Sequence, residues 1–229
     1  MDVLRPHPLL PLSIVIIATC ALLAGLIAAA VTAQAESLVV VASYDGVITP
    51  VAAEYLHDAL LSAQDSGAQA LIIRLNTPGG LDPSMRLIIK DIIGTTIPVV
   101  VYVSPSSGRA ASAGVFITMA AHVAAMAPGT NIGAAHPVVM GGGEPEKTMK
   151  EKVENDSVAY LKAIASQRGR NMAWAEDAVR KSVSVTEREA LKLKIIDLVA
   201  EDLPALLKQL DGRSIPLSTG ARGCIFNRP

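Results

Sequence analysis

From Ser37 onward the chain alternates between two hydrophobic rhythms. Short unbroken apolar runs occur at Leu38–Ser43 (LVVVAS), 70–76 (ALIIRLN), 97–103 (IPVVVYV) and His122–Ala127. Rich in β-branched residues and bounded by turn formers, they read as strands buried on both faces. Between them, apolar residues recur three and four apart, which predicts helices. One covers Pro50–Ser66, with Val51, Tyr55, Leu56, Ala59 and Leu60 on one face; others cover Pro83–Ile93 and run from Ser112 to about Ala121. Downstream, Glu146–Arg168 forms a long helix with Val153, Tyr160, Leu161 and Ile164 inward, and 171–181 a shorter one capped by Asn171. Thr186 and Glu189 have capping-box spacing, Ile195–Val199 reads as a closing strand and Leu203–Leu210 as a last helix. Repeated β-α units with apolar strands predict an α/β domain, a mostly parallel sheet flanked by helices and joined by right-handed crossovers. Residues 211–229 carry no clear pattern.

The first 35 residues follow another rule. Arg5 stands in a short polar lead, an apolar run extends from Leu9 to Val31, and Ala33-Gln34-Ala35 precedes Glu36. This is a secretory signal pattern with cleavage after Ala35. The apolar run, about 23 residues, is longer than the ~7–15 of a signal core and would also span a bilayer as a retained anchor. Either outcome puts the rest of the chain outside the cytoplasm, periplasmic or secreted. The expected organisation is a signal or anchor at 1–35, a catalytic domain at 36–211 and a tail at 212–229.

Charge narrows the partners. Twenty basic and 21 acidic residues leave a net charge of −1, and they are scattered, without the basic patch that nucleic-acid binding needs. Of two cysteines, Cys20 lies in the apolar run and Cys224 near the end, so the processed chain has no internal disulfide. No CxxC and no His/Cys cluster suggests a metal site, and no cofactor is expected. His57, His122 and His136 are far apart in sequence. Gly141-Gly142-Gly143 with Glu144 lacks phosphate-loop spacing; the stretch from Pro137 to Pro145 is either a gating loop or a plain linker.

The chemistry concentrates between Ser104 and Val138. After the strand at 97–103 comes Ser107-Gly108-Arg109-Ala110-Ala111, and then Ser112 between small residues at the head of an apolar segment. A hydroxyl nucleophile needs access, a base and oxyanion donors. Small neighbours give access, and the Ala113 N–H at a helix start is a donor. Taken alone, SAG also suits two elements that simply pack closely. A second strand, 70–76, ends in Asn76-Thr77-Pro78-Gly79-Gly80, whose paired glycines leave backbone N–H groups uncovered.

LNTPGG, then GRAASAG, then AMAPGTNIGAAHPV together resemble the NfeD group of membrane-associated serine proteases, in the wider ClpP/crotonase fold class with signal peptide peptidase A as a cousin. The similarity covers about residues 37 to 200. It implies that Ser112 is the nucleophile, that Lys152 on a later helix is the general base, and that no metal is required. The N–H groups of Gly79 and Ala113 would form the oxyanion hole, with Gly80 shaping the turn. Lys147, Lys150 and His136 are the other candidate bases; His136 follows Ser112 at nearly the spacing of a ClpP-type triad. Lys152 falls at the boundary of its helix's apolar face, where it could equally be solvated and paired with Asp156 at i+4. The resemblance further implies peptide substrates with apolar segments, such as a stomatin-like membrane protein, membrane association, and a homodimer or larger oligomer. Long NfeD-type proteins continue into membrane helices and a small β-barrel, which these 229 residues do not contain. A non-catalytic scaffold for a stomatin-like partner and a crotonase-like acyl-CoA enzyme are the alternatives on the same fold; coenzyme A thioesters are cytoplasmic, which sits poorly with a secretion signal.

Overall fold

The computed structural model describes residues 38–138, 146–217, 220 and 222–225. The expected signal or anchor at 1–35 and most of the glycine-rich loop at 137–145 lie outside them. No helix among the described residues is long and apolar enough to cross a membrane.

Five strands form the main sheet: Val39–Asp45 (β1), Ala70–Asn76 (β2), Val99–Val103 (β3), Val123–Met126 (β5) and Leu198–Val199 (β8). Their order is β1-β2-β3-β5-β8 and every pair is parallel. Alternation along each strand separates two cores. Leu71, Ile73, Leu75, Val99, Val101, Val103 and Met126 point into the larger one. There they meet helices Pro50–Asp65 (α1), Asp82–Gly94 (α2), Ala113–Ala120 (α3), Lys147–Gln167 (α4) and Met172–Arg180 (α5). Ile72, Val100, Tyr102, Val123 and Ala125 point the other way, onto Leu206 and Leu210 of the helix Leu203–Leu210 (α7). Helices on both faces explain why these strands read as continuous apolar runs.

The helix starts follow their sequence signals. Thr49 Oγ1 accepts from the Ala52 N–H ahead of Pro50, and Asn171 Oδ1 accepts from Trp174 N–H at 2.9 Å. Thr186 and Glu189 complete a capping box on Glu187–Lys192 (α6). Three departures concern strands. Arg109–Ala111 (β4), Asn131–Gly133 (β6) and Ser184–Thr186 (β7) form a small second sheet that the hydrophobic pattern does not show. Of the expected strand at 195–199 only Leu198–Val199 is in the ladder with β5: Ile195 and Ile196 are buried against helices, and Asp197 meets β5 at Ala124 through its N–H, which donates to Ala124 O at 2.8 Å, and its side chain, which accepts from Ala124 N–H. And Arg213–Pro216 (β9) pairs antiparallel with Arg222–Ile225 (β10), with Ile215 buried in the second core.

Candidate active site

The site begins where β2 ends. Thr77 is fully buried; its N–H donates to Arg109 O at 2.8 Å and its carbonyl accepts from Ala111 N–H at 3.0 Å. The loop after β2 is thus laced to β4, the segment that leads into Ser112. On the other side, Ile48 N–H donates to Gly79 O and Leu81 N–H donates to Ile48 O, both at 2.8 Å. That bridge turns Gly80's own N–H away from Ile48, and Gly80 lines the cavity.

Both glycines are required by space. A Cβ on Gly79, whose φ is +114°, would lie 2.5 Å from Ser112 Cβ and 3.0 Å from Oγ. A Cβ on Gly80 would lie 2.1 Å from Ile48 O, and one on Gly114 would lie 2.6 Å from Thr77 Cγ2. Real atoms do not approach so closely, so the small residues let the loop press directly onto the serine and the head of α3.

Ser112 itself has φ 51° and ψ −114°, a strained conformation for a residue with a side chain. It is held there by its N–H on Gly133 O at 3.2 Å and its carbonyl under Val115 N–H at 3.0 Å. The Ala113 N–H, in the first helical position, has no intrahelical partner. Around them opens a cavity of about 240 Å³. Gly80, Ser112 and Ala113 form one side, Leu81, Met85 and Phe116 an apolar wall, and Ala135, Pro137 and Val138 the opposite rim. Asp82 and Ser157 are its polar members besides the serine.

The expected oxyanion donors differ in how they are engaged. Gly79 N–H donates to Thr77 Oγ1 at 3.0 Å, and the same hydroxyl donates to Gly79 O at 3.2 Å. Gly79 is therefore engaged within its own turn, while the Gly80 N–H is turned away from Ile48 and Gly80 lines the cavity. Sequence reasoning missed Thr77 as the residue that closes this turn; a threonine two positions before a glycine was the available signal.

The candidate bases are placed less closely. His136 Nδ1 donates to Val179 O at 3.0 Å, at the end of α5, and its ring is not part of the cavity lining. Lys147 pairs with Glu151 at 4.0 Å, and Lys150 is exposed. Lys152 is exposed on α4, five residues before the cavity-lining Ser157 and so about 7.5 Å along the helix axis. The pairing of Lys152 with Asp156 that the i+4 spacing allows is not made: Asp156 contacts Arg86 of α2 instead. Among the described residues no group of His, Cys, Asp and Glu could hold a metal ion.

The sequence of the NfeD1b N-terminal domain matches residues 39–206, the span that carries both the Thr77–Gly80 turn and Ser112. The chain belongs to that family. It is 37% identical over 196 residues, 84% of its length and 44% of the relative's, to membrane-bound protease PH1510 of Pyrococcus horikoshii. It is 32% identical over 171 residues to membrane protein NfeD1b of Bacillus subtilis, covering 69% of this chain and 38% of that one. The chain thus spans less than half the length of these relatives. Among solved structures, it superimposes with a TM-score of 0.78 and 36% identity on a serine-to-alanine variant of the 1510-N membrane-bound stomatin-specific protease, over 84% of this chain and 94% of that one. A lysine-to-alanine variant of the same protease, in complex with a substrate peptide, gives 0.78 and 35% over 84% and 89%. The α/β architecture of this NfeD1b-family chain is that ClpP-like fold.

Proposed function

We propose that this chain is an extracytoplasmic serine endopeptidase in which Ser112 is the nucleophile, Lys152 the general base, and the Gly80 and Ala113 N–H groups the oxyanion donors. The observation that carries the reading is the Ser112 backbone, held at φ 51° on the side of an apolar cavity between two outward N–H groups. Serine and lysine are also the residue types altered in the two solved relatives, and the interval between those positions nearly equals that between Ser112 and Lys152.

In this mechanism Ser112 Oγ attacks the scissile carbonyl carbon as its proton passes to the neutral Lys152 amine. Negative charge collects on the carbonyl oxygen against the Gly80 and Ala113 N–H groups. Lys152 then returns the proton to the leaving amine, the C–N bond breaks and an acyl-serine remains. Water, deprotonated by Lys152, attacks the ester; collapse releases the acid and restores the Ser112 hydroxyl. Lys152 is exposed in the free protein. Its four-carbon stem lets it fold over the cavity once substrate fills it, so that the amine exchanges its proton with Ser112 away from bulk water.

Leu81, Met85, Phe116 and Val138 suit an apolar side chain beside the scissile bond. The substrate is accordingly an apolar stretch of a membrane protein, with a stomatin-like partner the choice suggested by the named relatives. Signal cleavage or anchoring through residues 9–31 and assembly as a homodimer or larger oligomer belong to the same proposal.

The test is cleavage of an apolar peptide library by the full chain in detergent, with labelling by a fluorophosphonate. Ser112→Ala removes both cleavage and labelling. Lys152→Ala lowers kcat by roughly 10²–10⁴, the usual worth of a general base, and His136→Ala stays within a few-fold of wild type. A wild-type chain that neither cleaves nor labels would overturn the reading in favour of a binding scaffold. A dead His136→Ala with an active Lys152→Ala would replace the dyad by a histidine mechanism.

A further inference from the structure

Asp156 stands one turn after Lys152 on α4, the interval at which a lysine and an acid pair on a helix surface. It is drawn away by Arg86. The Arg86 guanidinium contacts Asp156 Oδ2 through Nη2 and donates through Nε to Asp82 Oδ2 at 2.8 Å. It also lies 4.3 Å from the centroid of the Tyr160 ring, which in turn stacks on Phe116 of the cavity wall. One side chain of α2 thus fixes α4 beside the cavity and occupies two carboxylates at once.

The other acids of α4 and α5 are similarly committed. On α4, Glu151 pairs with Lys147 and Glu154 with Arg180; on α5, Glu176 holds Lys162 and Arg180. On α2, Asp82 and Arg86 pair with each other. Among the described residues no ion pair engages Lys152.

We infer that Arg86 is a positioning residue for catalysis: by holding Asp156 it keeps that carboxylate, one helical turn from Lys152, from pairing with it, and so leaves the Lys152 amine available to Ser112. The inference rests on the Ser112/Lys152 reading. Its physical basis is that a lysine can accept a proton only when neutral, and a neighbouring carboxylate favours the charged form. Partial burial opposes the charge on Arg86, but Asp82 and Asp156 outweigh it, so the arginine stays cationic at any working pH.

The experiment is the pH profile of kcat/KM for the full chain with an apolar peptide, whose acid limb reports deprotonation of the base. Arg86→Met moves that limb up by about half a pH unit, the shift an exposed ion pair produces, which is about a threefold loss at a fixed pH on the limb. Arg86→Met/Asp156→Asn brings the limb most of the way back, while Asp156→Asn alone leaves it at the wild-type position. Arg86→Gln, which keeps a polar side chain between the helices, gives the same direction of shift should Arg86→Met fold poorly. A limb that stays in place in Arg86→Gln and Arg86→Met, or one that moves and is not restored by Asp156→Asn, overturns the proposal and reduces Arg86 to packing. An active Lys152→Ala is a different result: it removes the base assignment beneath the proposal, and the proposal with it.

Discussion

Ser112 is strained where it stands: φ 51° with ψ −114° is a conformation in which a Cβ is unwelcome. Glycine relieves that strain and alanine does not, whereas both remove the hydroxyl. On the proposed function Ser112→Gly and Ser112→Ala are both expected to be inactive, but the glycine variant to be more stable than the alanine variant by about 1 kcal/mol, the strain released less glycine's extra freedom when unfolded. Urea denaturation of the pair measures it, and equal midpoints would mean that Ser112 carries no backbone strain. The serine, the small residues around it and the paired glycines are all visible in the sequence, because access and close packing have a plain signature in residue size. The division of labour between Gly79 and Gly80 is not visible. It depends on which of two adjacent N–H groups Thr77 Oγ1 takes up, and that is decided by the turn's path and by Ile48 from a distant segment.

Among the elements, α3 is held at both ends. At its far end the last carbonyls meet two arginines: Arg170 Nη1 donates to Met119 O at 2.9 Å and Ala121 O at 3.0 Å, and Arg168 Nε to Ala120 O at 2.7 Å. Positive charge at a helix C-terminus complements its dipole. Burial drags both guanidinium pKa values down, Arg168 to about 10, while Asp197 supports the charge on each. Asp197 also accepts from Ala124 N–H at 2.7 Å, which links the end of α3 to β5. Arg170→Met leaves three carbonyl and carboxylate partners without their donor, and is expected to cost about 3 kcal/mol, as when one member of a buried pair is removed. Denaturant midpoints give the cost, and hydrogen exchange at Ala121–Ala124 should rise more than at β1. A loss below about 1 kcal/mol would show that the pair is dispensable. At this scale β2, α5 and α7 are legible, since long apolar runs and caps declare themselves. The three-residue strands β4, β6 and β7 (RAA, NIG and SVT) are not: too short for a pattern and mixing Ile132, Val185 and Thr186 with Arg, Ala, Asn, Gly and Ser, they owe their pairing to backbone geometry imposed by neighbours.

Across the whole molecule, two hydrophobic cores on a single sheet carry the fold, and His122 lies where β3 and β5 meet the arginines. Its Nδ1 accepts from Val99 N–H at 3.2 Å. Burial, helped by Arg168 and Arg170, pushes its pKa down to about 3 from the ordinary 6.5. As pH falls below 6.5 the unfolded chain takes up a proton at this position and the folded one does not, so folding stability declines down to about pH 3. The slope from this one group is at most about 1.4 kcal/mol per pH unit. His122→Asn should flatten the fall between pH 6.5 and 5, above the range in which carboxylates contribute, and unfolding free energies at pH 7, 6 and 5 test this. Parallel slopes for variant and wild type would place the acid sensitivity elsewhere. The α/β class and the strand sequence of the sheet follow from the hydrophobic rhythm, but which face each helix covers, and the docking of β9 on the second core, are set by contacts between distant segments.

The Ile48–Gly80 and Thr77–Ala110 bridges consist of main-chain hydrogen bonds. Side-chain replacement at most positions leaves such bonds untouched, so the geometry of attack is insulated from changes in the residues that meet the substrate. On the proposed function, the exposed Leu81 and Val138 can diverge in size and shape, and Met85 and Phe116 within what the larger core tolerates, while Ser112 and its two proposed donors stay in place. If Ser112 acts as proposed, a chain built on this plan is able to change which peptide it accepts without rebuilding the turn that presents the serine.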